Sequence, residues 1–163
     1  FSYVYEKEGK KVIIYVGSDH AGYFLKEKIK KYLYSKNIDF EDIGPERYEK
    51  KDDYPDFAFK VAEKVINNRK KDAKGVLICG TGSGMIIAAN KIQGIRAVAP
   101  YDSYSAKMSR SHNDANIIGL RGKGFSFAKI KRIIDIWLNT KFSEAERHKR
   151  RLKKIEMYEK KGI

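Results

Sequence analysis

Cysteine is nearly absent from this 163-residue chain, which contains Cys79 alone. A single cysteine excludes a disulfide within the chain, so we expect a reducing, cytoplasmic location rather than a disulfide scaffold. Long apolar runs are missing too: none approaches the ~20 residues that a membrane-spanning helix needs, so no membrane partner is expected. Acidic residues number 21 against 35 Lys and Arg, and the formal net charge is +14.

The common nucleotide-binding motifs are also missing. No Gly-Lys-Ser/Thr sequence occurs, which excludes a P-loop. The glycines of Gly80-Thr81-Gly82-Ser83-Gly84 are spaced G-x-G-x-G after the third predicted strand, whereas the dinucleotide fingerprint is G-x-G-x-x-G after the first. The histidines, His20, His112 and His148, fall on separate predicted elements without the spacing of a metal site, so no metal is expected.

Apolar runs and helical spacings alternate along the chain. They predict strands at 12–16, 38–43, 75–79, 95–99 and 115–120, and helices at about 24–33, 56–68, 85–91, 103–111, 125–139 and 144–161. This alternation is typical of α/β proteins, so we expect a Rossmann-like three-layer sandwich with a five-stranded parallel sheet in the order 2-1-3-4-5. Residues 1–163 are expected to form a single domain, with 1–11 as a loose lead-in and 144–161 as an extra, basic C-terminal helix.

Polar residues follow two strands that this order makes neighbours. Asp19-His20 follows the first predicted strand, and Cys79 with the glycine loop follows the third. Ligands of such sheets bind at the carboxyl ends of the strands, so both clusters are predicted to line one crevice. The glycine loop offers unobstructed backbone N–H groups there, which suit an anion.

Cys79 allows two interpretations at this point. It can be a small apolar residue that simply ends a buried strand. Beside loop amides and a helix N-terminus, it can instead be held as a thiolate and act as a nucleophile or general base. The polar loop that directly follows Cys79 favours the chemical interpretation.

Basic residues concentrate toward the C-terminus, where residues 121–163 carry 14 Lys and Arg against 5 Asp and Glu. Such a segment can bind nucleic acid, or it can raise the positive field around a small phosphorylated substrate. Arg147 and Arg151 share one helix face and can hold a phosphate, although an exposed charged helix is the simpler interpretation. His148 is expected on that solvated basic face. The terminal helix lacks interleaved aromatic residues apart from Tyr158, which argues against nucleic acid. Its narrow apolar stripe suggests packing on a partner subunit.

Five motifs occur in order between about residues 12 and 158. They are Gly17-Ser18-Asp19-His20-Ala21-Gly22, Asp53-Tyr54-Pro55, Cys79-Gly80-Thr81-Gly82-Ser83-Gly84, Ala88-Ala89-Asn90-Lys91 and Ser109-Arg110-Ser111-His112-Asn113-Asp114-Ala115-Asn116. Together they resemble ribose-5-phosphate isomerase type B, in a family that also includes galactose-6-phosphate and allose-6-phosphate isomerases. The resemblance implies an aldose–ketose isomerase of the non-oxidative pentose phosphate pathway, acting through an enediolate without metal or organic cofactor. A hexose-6-phosphate isomerase is the alternative within the family. The resemblance further implies a sugar-phosphate ligand and a homodimer or dimer of dimers with shared active sites.

The resemblance also implies roles for individual residues. Cys79 corresponds to the base that moves a proton between C2 and C1; relatives that use a Glu have it a few residues later, where this chain has Met85. His112 corresponds to the acid that opens the furanose ring, with Asp19 assisting at the sugar oxygens and Thr81 orienting or relaying a proton. The implied substrate contacts are His20, Arg147 and Arg151 at the phosphate, the amides of Gly80 through Gly84 at the enediolate, Asn113 at a sugar hydroxyl, and Tyr54 as a pocket wall. Lys123 stands where the family often has an Arg, and Arg121, two positions earlier, is the alternative phosphate contact.

Overall fold

The chain folds as a parallel β-sheet between layers of helices, in a computed structural model that describes residues 6–7, 10–68 and 72–162. The strands are β1 (Glu6–Lys7), β2 (Lys10–Ser18), β3 (Asp39–Gly44), β4 (Asp72–Cys79), β5 (Ala97–Val98) and β6 (Ile117–Arg121). The helices are α1 (Tyr23–Ser35), α2 (Tyr54–Asn67), α3 (Gly84–Ala89), α4 (Ser103–Ser111), α5 (Phe127–Asn139) and α6 (Glu146–Glu159), and a 3-10 turn spans His20–Gly22. The five strands β2 to β6 run parallel, which confirms the predicted α/β sandwich. Within the described ranges, no helix has the length and apolar character needed to cross a membrane.

The sheet order differs from the prediction at one edge. The parallel strands are arranged β3-β2-β4-β6-β5, so the last two strands exchange the places that the order 2-1-3-4-5 gives them. The predicted neighbours β2 and β4 are confirmed. Ile117–Leu120 is an apolar run buried along its length, which suits an inner position, whereas the two-residue strand β5 is followed by Ala99-Pro100 and suits an edge.

The segment expected to be a loose lead-in contains part of the sheet. Glu6–Lys7 pairs antiparallel with Lys10 and Lys11 at the start of β2. The expectation was therefore wrong for these residues, while 1–5 and 8–9 lie outside the described part of the chain.

Side chains of alternate strand residues enter two separate cores. On one face, Val12, Ile14 and Val16 of β2 belong to a cluster that includes buried residues of α1, α4 and α5, with Trp137 among them. On the other face, Tyr15 of β2 belongs to a cluster with α2 and α3. Cys79 lies in this second cluster, so its side chain points toward the α2–α3 layer at the carboxyl end of β4.

A buried ion pair ties α1 to the end of β3. Lys26 is fully buried, and its ammonium donates to both carboxylate oxygens of Asp42, at 2.7 and 2.8 Å, and to the carbonyl of Pro45 at 2.7 Å. Burial raises the pKa of Asp42, but hydrogen bonds from Lys26 and Lys30 outweigh this and leave the pKa below its ordinary value. The Asp42 carboxylate is therefore ionised at neutral pH, and its contacts with Lys26 fix the start of the segment that leads from β3 to α2.

We expect Lys26→Met to lower the free energy of unfolding by about 3 kcal/mol, because it removes a buried partner of the Asp42 carboxylate. Lys30→Met is the matched control: Lys30 binds the same carboxylate at 2.5 Å from a more exposed position, and its loss should cost about 1 kcal/mol or less. Urea unfolding followed by circular dichroism measures both values, and equal losses would contradict the ranking. Because the folded pKa of Asp42 is lowered, its stabilising contribution is present above the unfolded pKa of about 3.9 and is lost as the pH falls through the folded value.

Candidate active site

The carboxyl ends of β2 and β4 are joined closely enough to bring two polar segments together. Ser18 pairs with Ile78 across the sheet, and the amide of Asp19 donates to the Ile78 carbonyl at 3.2 Å. A Cβ atom on Gly22 would lie 2.2 Å from that carbonyl oxygen, so the His20–Gly22 turn can pack here because residue 22 is glycine. The turn consequently places Asp19 and His20 beside the loop that follows Cys79.

The Cys79 sulfur faces a backbone donor of the glycine loop. Its Sγ accepts the amide of Gly82 at 3.1 Å, in a turn where Gly82 has a φ of +80°. The residue is 6% exposed, so little of its side chain reaches solvent. This contact fixes the sulfur at the start of the glycine loop.

The glycine loop is bordered by an aromatic ring. Thr81 and Ser83 are exposed, and the Ser83 amide donates to the Thr81 hydroxyl at 3.3 Å. A Cβ atom on Gly84 would lie 2.9 Å from the Tyr54 ring, so the ring rests on the backbone where α3 begins. Tyr54 is 42% exposed and thus presents a surface beside the loop.

Asp19 and His20 have different environments although they are adjacent. Asp19 is 7% exposed, and its carboxylate accepts the Gly22 amide at 2.9 Å. Burial raises the pKa of Asp19 above its ordinary value, the charge of Asp52 adds to the rise, and the Gly22 amide and His20 oppose it. The His20 ring is partly exposed, and its Nδ1 lies 2.7 Å from a carboxylate oxygen of Asp52.

Asp52 is a site residue that the sequence did not reveal. Its carboxylate meets a residue 32 positions away, and no spacing rule predicts a contact across that distance. The acidic pair Asp52-Asp53 directly before Tyr54-Pro55 was the available signal.

A second cluster of predicted site residues surrounds His112. The rings of His112 and His148 have their centroids 4.3 Å apart, and the His148 Nδ1 lies 2.6 Å from the Ser143 hydroxyl. The expectation that His148 belongs to a solvated face was wrong, since it is 3% exposed. Burial lowers the pKa of His148, and the positive charges of its neighbours lower it further. Arg147 and Arg151 are exposed on either side of it along α6.

Two arginines hold the turn that carries His112 and Asn113. Arg96 donates to the carbonyls of Asn113 and Asp114, at 3.0 and 3.1 Å. The Asp114 carboxylate accepts both Arg96 and the buried Arg110, at 2.9 and 2.8 Å. These bonds fix the backbone of the turn, so His112 and Asn113 are presented from a rigid support.

The two clusters lie at opposite ends of the parallel strands. The Asn116 carbonyl accepts the Gly75 amide at 2.9 Å, and Gly75 precedes Cys79 by four residues on β4, a distance of about 13 Å along the strand. His112 directly follows α4, which runs from the carboxyl end of β5 back to the amino end of β6. We therefore distinguish two half-sites in one chain. The first half-site comprises Asp19, His20, Tyr54, Cys79 and residues 80–84; the second comprises His112, Asn113, Arg147, His148 and Arg151.

Residues 14–155 match the model of a protein family described as Ribose/Galactose Isomerase. The chain belongs to this family. The match confirms the resemblance seen in the five motifs, all of which fall within the matched range.

Individual members of the family are similar over nearly their whole length. A probable ribose-5-phosphate isomerase B of Mycoplasma genitalium is 42% identical over 147 residues, which is 90% of this chain and 95% of that protein. Among solved structures, ribose-5-phosphate isomerase B of Clostridium thermocellum is 44% identical and superimposes with a TM-score of 0.87, covering 93% of this chain and 99% of that one. A crystal structure of the Mycoplasma genitalium ribose-5-phosphate isomerase B with bound ribulose-5-phosphate is 40% identical, has a TM-score of 0.87, and covers 93% of this chain and 98% of that one.

The turn after β6 borders the first half-site. The Gly122 amide donates to the Cys79 carbonyl at 2.7 Å. Arg121 folds back onto its own turn, where its Nε donates to the Lys123 carbonyl at 3.0 Å and its guanidinium lies 5.0 Å from the centre of the Phe125 ring. Lys123 is exposed on the same turn.

Proposed function

We propose that this chain interconverts ribose 5-phosphate and ribulose 5-phosphate, with the Cys79 thiolate as the base. The observation that carries the proposal is the buried Cys79 sulfur at the carboxyl end of β4, with the Gly82 amide directed at it and Asp19 and His20 on the neighbouring strand end. The relatives named above support the same substrate pair.

In the proposed reaction, Cys79 removes the proton from C2 of the open-chain aldose and returns it to C1. Charge that develops on the oxygens of the enediolate is stabilised by amides of residues 80–84, each donor typically contributing a few kcal/mol in such sites. Without substrate, the Gly82 and Ser83 amides donate to the Cys79 sulfur and the Thr81 hydroxyl, and they would have to turn toward the enediolate to take part. A proton passes from O2 to O1 in the same sequence, for which the Thr81 hydroxyl is the nearest candidate relay in the loop. Asp19, whose pKa is raised by burial, is suited to exchange a proton with a sugar oxygen.

We further propose that a second copy of the chain completes the site. His112 would open the furanose ring, Asn113 would bind a sugar hydroxyl, and Arg147 and Arg151 would hold the phosphate from the partner's second half-site. The separation of the half-sites within one chain supports this arrangement, because the segment after His112 is bonded to Gly75, about 13 Å along β4 from Cys79. The active unit is then a homodimer, or a dimer of dimers, with two equivalent shared sites.

On the side of the first half-site, His20 and Lys123 are the proposed cations for the phosphate. The contacts of Arg121 with Lys123 and Phe125 support Lys123 over Arg121, since they hold the arginine against its own turn. An ammonium supplies charge at this position but not the paired hydrogen bonds of a guanidinium.

The substrate is tested by comparing kcat/KM for ribose 5-phosphate, allose 6-phosphate and galactose 6-phosphate. We expect the five-carbon sugar to be preferred by at least about tenfold, as one misplaced carbon in a fitted pocket typically costs 1–3 kcal/mol. A preference for either hexose phosphate would assign the chain to the hexose branch of the family. No turnover of any of the three would refute the isomerase proposal.

A further inference from the structure

The segment 45–53 between β3 and α2 delivers a carboxylate to His20. One oxygen of Asp52, Oδ1, lies 2.7 Å from the His20 Nδ1 and also accepts the His20 backbone N–H at 3.1 Å. The Asp52 side chain is 7% exposed, against 36% for His20. A buried group therefore holds a partly exposed residue at two points, the ring nitrogen and the backbone N–H.

We propose that Asp52 is a positioning residue for His20, fixing the imidazole with its proton on Nδ1 and its Nε2 directed into the crevice to receive the phosphate of the substrate. The identity of that ligand rests on the proposed function. The position of the ring and of its proton follows from the contact itself, because a carboxylate accepts hydrogen bonds and the imidazole nitrogen that faces it must donate.

The charge of Asp52 is part of the role. Its second oxygen, Oδ2, is buried and has no hydrogen-bond partner among the described residues, so the two N–H groups of His20 are the contacts that offset the buried charge. Because a phosphate oxygen accepts hydrogen bonds, Nε2 must donate to it. The form of the ring that binds phosphate therefore carries a proton on both nitrogens, with Asp52 accepting from Nδ1.

The segment 45–53 is anchored to the same helix that follows His20. Lys26 donates to the Pro45 carbonyl at 2.7 Å, and the Tyr23 hydroxyl donates to the Glu46 carbonyl at 3.2 Å. The Phe24 and Tyr48 rings stack with their centroids 5.7 Å apart. Segment 45–53, which carries Asp52, is thus attached to the first turns of α1, and His20 lies directly before the same helix.

The experiment compares Asp52→Ala, Asp52→Asn and the control Glu49→Gln in the full chain. Glu49 is an exposed acid of the same segment, so its variant removes one negative charge without touching His20. Inorganic phosphate serves as the probe of the anion site, and kcat and KM are measured with ribose 5-phosphate. Nitrogen-15 NMR reports which ring nitrogen of His20 carries the proton.

We expect Asp52→Ala to raise the KM and the inhibition constant of phosphate in parallel by about tenfold, while kcat changes by less than about threefold. Asp52→Asn keeps an acceptor oxygen but loses the charge, so it should retain the Nδ1 proton and show a smaller rise in both constants. Glu49→Gln should match the wild type. In the wild type, NMR should show Nδ1 protonated, and in Asp52→Ala a mixture of tautomers.

Three results would overturn the proposal. The first is a wild-type His20 without a proton on Nδ1. The second is an Asp52→Ala variant with reduced melting temperature but unchanged phosphate inhibition, which would make the contact merely structural. The third is a fall in kcat at unchanged KM. Absence of wild-type turnover would instead refute the proposed function, and phosphate binding by calorimetry together with NMR would still test the pair.

Discussion

Replacing Cys79 with Ala is expected to lower kcat for ribose 5-phosphate by about 10³-fold, within the range by which a positioned general base accelerates proton transfer. The alanine has no group that can accept the C2 proton, and neighbouring amides such as that of Gly82 cannot substitute because they donate. The KM should change little, since the phosphate contacts are elsewhere. Steady-state kinetics of the wild type and the variant, measured in parallel, give the result.

The control separates chemistry from packing. Val76 lies on the same strand and is fully buried, so Val76→Ala should cost about 2 kcal/mol of stability while kcat stays near the wild-type value. Cys79→Ala should show the reverse pattern, with near-normal unfolding and almost no turnover. If Cys79→Ala instead keeps the wild-type rate, Cys79 is packing material and the assigned base is wrong.

The second large effect concerns two inactive variants that restore activity when they are combined. His112→Ala removes the proposed acid from the second half-site, and Cys79→Ala removes the base from the first. A hybrid dimer of the two has one site with both groups intact and one with neither. Random pairing gives half hybrids, so an equal mixture should reach about a quarter of the wild-type activity, far above either parent.

The mixing experiment needs proof that subunits exchange. Co-refolding the two variants with different tags, followed by native mass spectrometry, measures the share of hybrids, and activity should rise in proportion to it. Wild-type protein carried through the same treatment is the control for refolding losses. Hybrids without activity would place the complete site within one chain and contradict the shared-site proposal.

Local features of the fold were predictable because they depend on neighbouring residues. The apolar run before Gly17 and the periodic residues of α2 and α5 identify their elements directly. The helix 103–111 was predicted with its observed bounds, and its beginning is fixed by the Asp102–Ser105 capping box. The order of β5 and β6 was not predictable in this way, because strand neighbours depend on burial across the whole sheet rather than on spacing along the chain.

The site was predictable to the extent that it follows strand ends. Asp19, His20 and Cys79 come together because parallel strands end at one edge, and this edge could be inferred from the alternation of elements. The burial of His148 could not be predicted from its neighbours in the sequence. Its charged neighbours indicate an exposed helix face, but contacts with His112 and Ser143 from other segments bury it, and no local pattern encodes those contacts.

The position of β6 next to β4 has a consequence for how the molecule measures the length of its substrate. Cys79 pairs with Arg121 in the ladder between β4 and β6. The proposed base, Cys79, and the proposed cation, Lys123, would therefore stand at the ends of two strands that are hydrogen-bonded to each other. Had the strands followed chain order, that turn would stand one strand farther away, at an added distance of about 4.8 Å. The span from the proposed base to the proposed phosphate contact would thereby be set by backbone hydrogen bonds, including the one from Gly122 to Cys79. Changes in the helical layers can alter stability while leaving this spacing, and with it the preferred chain length of the sugar, unchanged.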